Sequence, residues 1–324
     1  MRPSAALAGG RLRVVFASLT PTLNIWSLPL DEGRPRSGAV QPAQVTSGAY
    51  DAQLTASADG RRLAFVSSRG GNKDIWWKDL ATGREMPLIS APGDQFGPIL
   101  SDDGARLAYQ TYETGQRSQY LVSLSSGPDG AVQPTPPEKL CSGCLRLWDL
   151  SSDAARFLEL HAPAPRITLG LLNRATGQSA LWLEHPEFSI ARVRFSHDDR
   201  WISFLTLRGD RGRVYVAPFR PEAGPKPDEW IAITGQDTFH DKPEWSPDGA
   251  LLYYTSDRDG LLCIYAQRLD PASRRPVGTA MEVYHSHSAR RSIMNANIIE
   301  HDVAVTRDKL LFHLGEVTGN IWMK

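Results

Sequence analysis

Cysteine is scarce: three residues among 324 exclude a fold built on disulfides, which would need several paired bridges. A surplus of one charge is missing too. Lys plus Arg total 36 and Asp plus Glu total 36, so no net field favours nucleic acid or an anionic membrane as a standing partner. Nor is there an apolar run near the roughly 18 residues that span a bilayer; the nearest, Val14 to Leu19, is only strand-length. The opening MRPSAALAGG holds one Arg and no long apolar stretch, which fits neither export nor anchoring and is expected to be a cut end (residues 1–10) that supplies at most one edge strand. The compartment reads as cytoplasmic for the chain as written, and as periplasmic or extracytoplasmic if a parent protein carries a transmembrane helix. Signatures of catalysis are also missing. No Gly-x-Gly-x-x-Gly loop, His-Arg-Asp segment or Asp-Phe-Gly triplet occurs, so these residues carry no kinase chemistry. The nearest approach to a Gly-x-Ser-x-Gly elbow, Gly177-Gln178-Ser179-Ala180-Leu181, lacks the closing glycine and falls at a hairpin turn.

What is present is a repeat. The turn SPDG at Ser246–Gly249 recurs in degraded form as SADG, SDDG, SSDA and SHDD. Aligned on the residue that follows, the copies fall at 16, 65, 109, 159, 204, 254 and 312. Their spacings of 49, 44, 50, 45, 50 and 58 match four short strands with their turns. Residues 51–90 show the internal order: DAQLTAS, a turn at Asp59-Gly60, RRLAFVSS, a turn at Gly70-Gly71, DIWWKDL, a turn at Thr82-Gly83, and a fourth strand through Met86 to Ile89. The Ser67-x-Arg69 pair, echoed by Ser256-x-Arg258, is expected to bond the backbone of its own turn.

The expected fold is an all-β propeller of seven blades, each a four-stranded antiparallel sheet, in one domain over residues 11–324. The blades fall near 11–47, 50–90, 95–141, 145–184, 190–235, 241–285 and 295–324. RLRVVFAS and NIWSLPL are expected to be second and third strands of the first blade, and DKLLFHL and NIWMK those of the last. Both terminal blades are then incomplete, and unpaired edges would invite association.

The segments WSPDG, SSRGGNKDIWWKDLATG, RFSHDDRWISF, SDRDGLLCIYAQRLDPASRRPVG, YHSHSARRS and DKLLFHLGEVTGNIWMK together resemble TolB-type, WD-like propeller repeats. The likeness extends to the carboxyl-terminal propeller that follows a Ser/Thr kinase or winged-helix domain in some multidomain bacterial regulators. It implies a non-catalytic binding module, the sensory or protein-interaction part of a larger signalling protein, that takes a protein or small ligand at the mouth of its channel. A free-standing periplasmic TolB-like adaptor is one alternative. A metal-assisted lyase or hydrolase resting on His285, His287 and Asp241 is another.

Candidate binding residues lie in two places. His240-Asp241 precedes the strand PEWS and is placed at a channel mouth. His285 and His287, with Arg290 and Arg291, occupy the long insertion behind the spacing of 58; two such histidines suit a metal, and the arginines a phosphate or carboxylate. Packing of a long connection is the blander reading. Cys141 and Cys144 form a lone CxxC, open to a disulfide, with no second ligand pair for structural zinc. No catalytic residue, metal or cofactor is assigned. Glu159 takes the register of an aromatic and is expected to find a partner or be exposed.

Overall fold

The computed structural model describes residues 4–8, 11–36, 40–113, 115–127, 131–163, 165–209, 211–288 and 290–323. Its strands form six antiparallel sheets. Four-residue turns and alternating apolar runs make each blade a meander. Blade one holds Asp51–Ala56, Arg62–Ser67, Asp74–Asp79 and Glu85–Ile89 from the inside outward. Blade two holds Gln95–Leu100, Arg106–Glu113, Gln116–Ser126 and, outermost, Val132–Pro134 with Glu138–Ser142. Blade three comprises Leu147–Leu150, Arg156–Ala162, Thr168–Asn173 and Gln178–Leu183. Blade four comprises Ser189–Phe195, Trp201–Arg208, Arg211–Pro218 and Ile231–Ala232. Blade five comprises His240–Trp245, Leu251–Ser256, Cys263–Leu269 and Pro276–Tyr284.

The ring has six blades rather than the seven expected, because the two terminal segments build one sheet. Val303–Val305 is its inner strand, Lys309–Met323 its second, Arg11–Asp31 its third and Ala43–Gln44 its outer one. The expected breaks inside the terminal segments do not occur: RLRVVFAS runs unbroken into NIWSLPL, and DKLLFHL into NIWMK. These two long strands pair from Val15↔Met323 to Pro29↔Lys309. The amino-terminal strand therefore staples the ring shut and removes the open edges that two partial blades would have left. Ser4–Ala8 adds an edge strand to the same sheet.

Every blade turns from its first to its second strand through one hydrogen-bonded device. The Ser246 hydroxyl donates to Asp248 Oδ1 (2.7 Å) and accepts from the Leu251 N–H (2.9 Å), while Asp248 Oδ1 accepts from the Ala250 N–H (3.0 Å). Ser57, Ser101, Ser151 and Ser196 repeat it with Asp59, Asp103, Asp153 and Asp198, and Thr306 with Asp308 supplies a shorter version. The fourth residue is left-handed: Gly249 at φ 65°, but also Ala154 at 52° and Asp199 at 53°. The degraded copies thus keep the backbone shape at a conformational cost that glycine avoids.

Blade faces are apolar on both sides because each packs between two neighbours. Tyr253, Phe312, Leu310 and Trp26 join blades five and six, and Phe65 with Leu63 and Ile25 joins six to one. Ser67 Oγ accepts from the Arg69 N–H (3.5 Å), as expected of the pair, but the Arg69 guanidinium bonds side chains instead of the backbone of its own turn. It donates to Ser67 Oγ (3.0 Å), pairs with buried Asp51 (3.0 Å) and Glu85 (2.6 Å), and lies 4.4 Å over the Trp76 ring. No helix among the described residues is long and apolar enough to cross a membrane.

Candidate functional site

The six inner strands wall a central channel, and a bulge in most of them decides what faces it. Register shifts interrupt the first-to-second strand pairing at Ala52/Thr55, Leu147/Asp149, Ala191/Arg194 and Asp241/Glu244. Gln53, Arg192 and Lys242 are left-handed there, with φ of 49°, 55° and 54°, and Gly97 holds the same position in blade two at 60°. A bulge of this kind re-aims side chains, and three non-glycine residues hold a costly left-handed conformation at this one repeat position.

Counting back from the turn serine gives the wall. Four residues before it stand Gln53, Gly97, Leu147, Arg192, Lys242 and, before Thr306, Asp302; two before it stand Thr55, Ile99, Asp149, Arg194, Glu244 and Ala304. The blade-three to blade-six side is densely ionic. Lys242 Nζ lies 3.1 Å from Asp302 Oδ1, Arg194 Nε 3.1 Å from Glu244 Oε2, and Arg192 Nε 3.3 Å from Asp241 Oδ1. Asp149 accepts from the Phe195 N–H (2.8 Å), and Arg194 also donates to the Trp148 carbonyl. Burial and the neighbouring Arg192 pull Lys242 down to about 8. Burial pushes Glu244 up to about 7 and Asp149 up to about 6, against the pull of Arg194. Burial acts on Asp302 in the same sense, but Lys242, Arg146, Arg194 and Arg192 overcome it and hold this carboxyl below the usual range.

The channel encloses only about 80 Å³ of free space. At the mouth where the inner strands end, His197 Nδ1 and Asp102 Oδ2 meet at 2.5 Å, bridging blades four and two. Ser152 of blade three donates to Asp199 beside them (2.6 Å). Side chains thus link blades two, three and four at this end. Over the opposite mouth lies the long connection from blade five to blade six. The Gln53 N–H donates to the Glu300 carbonyl (2.9 Å) and Arg192 Nη2 to the Ile298 carbonyl (3.2 Å). Met294, Ile298 and Ile299 of that connection stand 56, 39 and 54% exposed.

The structure separates the expected site residues into two groups. His240 and Asp241 lie at the start of blade five's inner strand, both buried. His240 faces Thr238 Oγ1 (3.1 Å) and Tyr254, and burial drops it to about 4. His285 and His287 lie after the same blade's outer strand, exposed, beside Asp259. Asp241 is not among their partners, so the grouping of His285, His287 and Asp241 in one centre is not formed. Arg291 pairs with Glu316 (2.6 Å) over the Trp26 ring (4.3 Å). Arg290 is exposed, its carbonyl accepting from the Val317 N–H (2.9 Å). Cys141 and Cys144 are joined by a disulfide. Glu159 is buried and accepts from the Ser179 hydroxyl, in room left by Gly170 opposite.

The channel wall escaped the sequence reading, although its signal was there. Aligned on the turn serine instead of the later aromatic, charged residues recur at two fixed offsets inside apolar strands.

The architecture and its closed ring define a TolB-like β-propeller fold. No family model matches the chain. A 76-residue stretch is 29% identical to a protein TolB homolog of Chlorobaculum tepidum, covering 24% of this chain and 18% of that protein; the chain thus matches under a fifth of that relative's length. A putative TolB from Agrobacterium tumefaciens superposes with a TM-score of 0.60 at 15% identity, over 93% of this chain and 99% of that one. An oligogalacturonate lyase in complex with manganese superposes at 0.53 and 13% identity, over 98% and 96%. Similarity at this level establishes a shared fold, and the fold hosts both kinds of protein.

Proposed function

We propose that this propeller is a non-catalytic binding module that docks a protein partner on the face carrying the blade-five to blade-six connection, as the interaction or sensory part of a larger bacterial signalling protein. The observation that carries the reading is the exposure of Met294, Ile298 and Ile299 within six residues of a connection whose Ile298 carbonyl meets Arg192 of the channel wall. Three large apolar side chains clustered in solvent are unusual where no partner covers them, and the connection is held in place from below by Arg192 and Gln53.

A small ligand inside the channel is a weaker reading. Ligand sites measure about 300–1,000 Å³, and the free space is about 80 Å³. The same limit weighs against a lyase acting within the channel on a sugar chain, and the ion pairs there already satisfy one another. A free-standing adaptor would use the same face, so the two binding readings differ in what the chain is attached to rather than in its site.

The test replaces Met294 with a photo-cross-linking residue and compares capture in native extract with a chain that also carries Ile298→Asp and Ile299→Asp. Discrete partners captured by the first and lost by the second are expected. Equal capture by both would remove this face from consideration. Manganese-dependent cleavage of an oligogalacturonate by the purified chain would replace the binding reading with an enzymatic one.

A further inference from the structure

The rim of blade five gathers four metal-binding side chains from two separate stretches. Asp259 lies in the turn after Leu251–Ser256, Cys263 opens the next strand, and His285 and His287 follow Pro276–Tyr284. The sheet register makes them meet: Cys263 pairs with Ser256, and Ile264 with Tyr284, so the turn and the departing segment leave the sheet at one end. One donor atom from each of the four lies within 4.8 Å of all the others. His285 Nδ1 is 3.1 Å from Asp259 Oδ2, His287 Nε2 is 3.4 Å from the same oxygen, and the two ring nitrogens are 3.4 Å apart. Ligands held tetrahedrally at about 2.0–2.3 Å stand roughly 3.3–3.8 Å from one another. These separations are close to the edges of such a shell.

Proton counting points the same way. A neutral imidazole has one ring proton. His285 Nε2 faces Glu282 Oε2 at 3.0 Å, and a proton spent there leaves the Nδ1 lone pair facing a carboxylate oxygen and a second imidazole nitrogen. With the His287 proton on Nδ1, His285 Nδ1, His287 Nε2 and Asp259 Oδ2 all present lone pairs to one point, an arrangement that a cation between them stabilises. The surrounding groups also suit one. Tyr265 donates its hydroxyl to Asp259 Oδ1 (2.7 Å), leaving Oδ2 for the centre, and the Ser286 N–H donates to Cys263 Sγ (3.3 Å). With Glu282 on His285, three of the four donors have an oriented outer partner, as metal ligands do.

We propose that Asp259, Cys263, His285 and His287 bind one Zn²⁺ ion in a closed structural site. A thiolate, two imidazoles and a carboxylate suit zinc better than Mg²⁺ or Ca²⁺, which prefer oxygen ligands. Four protein donors leave no position for a reacting water. The ion clasps the turn at Asp259 to the root of the connection that crosses to blade six, where Arg291–Ser292 pairs with Gly315 and Glu316. The proposal does not depend on the docking reading, since it needs only these residues.

The experiment loads the full chain, stripped with a chelator, with Zn²⁺ or Co²⁺ alone. One equivalent per chain is expected after dialysis, with a Co²⁺ spectrum showing tetrahedral d–d bands and sulfur-to-cobalt charge transfer. His287→Ala, at an exposed position, should lower affinity by at least about 100-fold without loss of the cooperative melt, and Tyr265→Phe by about tenfold. Cys263→Ser should remove the charge-transfer band. Failure to retain a metal at micromolar Zn²⁺ would overturn the proposal. Retention unchanged in His287→Ala, or a cobalt spectrum without thiolate character, would overturn the ligand set.

Discussion

Blades one and two present Gln53, Thr55, Gly97 and Ile99 to the channel, whereas blades three to six present Asp149, Arg192, Arg194, Lys242, Glu244 and Asp302 from equivalent positions. Turn chemistry, strand order and inner-strand bulge are shared by the two sides. What differs is the side chain placed on that common frame. The neutral side uses its polar groups to join neighbours: Gln53 Oε1 accepts from the Gly97 N–H (2.7 Å), and Thr55 Oγ1 from the Leu100 N–H (3.1 Å). The ionic side pairs Arg192, Arg194 and Lys242 with Asp241, Glu244 and Asp302. The ring is therefore held at its axis by two kinds of interaction, short-range bonds on one side and a coupled charge network on the other.

The comparison is broken most strongly by removing one charge. Asp302 is 9% and Lys242 4% exposed in their side chains, and Asp302 faces Arg146, Arg192 and Arg194 as well. Asp302→Asn leaves four cations converging with less to balance them. Breaking a buried pair by removing one partner costs about 3–5 kcal/mol, so a fall of that size in unfolding free energy is expected by denaturant titration. A loss below about 1 kcal/mol would mean that solvent screens the channel and that the ionic side is no different from a surface.

Much of this frame was legible, and the reasons for the exceptions are physical. The serine-aspartate turn and the meander are local, so residues 51–90 were assigned strand by strand from their turns. Blade number was not local. Pairing of Val15 with Met323 joins opposite ends of the chain, and no short-range pattern encodes it. Pro21 is tolerated inside the long strand because residues 16–22 pair on one side only, with the long strand of blade six, leaving an edge where a missing N–H costs little. The register also took Phe16 for a repeat copy, which added the seventh blade. The sequence singles out His240 and Asp241 by their place before a strand, and His285 and His287 by the long insertion behind the spacing of 58. Asp259 and Cys263 were not linked to the histidines, since only the register of three strands brings them together.

A smaller effect separates the two sides by pH. Glu244 stands near 7 in the folded protein against about 4.3 unfolded, so the folded chain binds more protons between these values. Its contribution to stability is complete below about 4.3 and is lost as pH rises through 7, amounting to about 4 kcal/mol at most. Buried His240 and His313, both near 4, act in the opposite sense: they stabilise above the ordinary histidine value and weaken the fold as pH falls through 4. The informative quantity is thus the difference between the wild type and Glu244→Gln, which keeps the shape of the protonated acid. From pH 5 to 7.5 the variant should gain on the wild type by up to about 3 kcal/mol in chemical denaturation. A difference independent of pH would place the Glu244 carboxyl in its usual range and make Arg194 its dominant neighbour.

The smallest effect belongs to the neutral side and sharpens the contrast because it changes no charge. Thr55→Val keeps the branched shape of the strand residue and removes only the hydroxyl that accepts from the Leu100 N–H. A neutral bond of this type contributes about 1 kcal/mol, and the N–H left behind sits between two blades. The expected loss is about 1 kcal/mol with no dependence on pH or salt between pH 5 and 8, measured by the same denaturant titration used for Asp302→Asn. Because the two positions lie on different inner strands and share no partner, the double variant should lose the sum of the single effects to within about 0.5 kcal/mol. A large shortfall from additivity would show that the charge network extends from blade six into its neighbour, blade one, and that the two sides do not have separate chemistry at their axis.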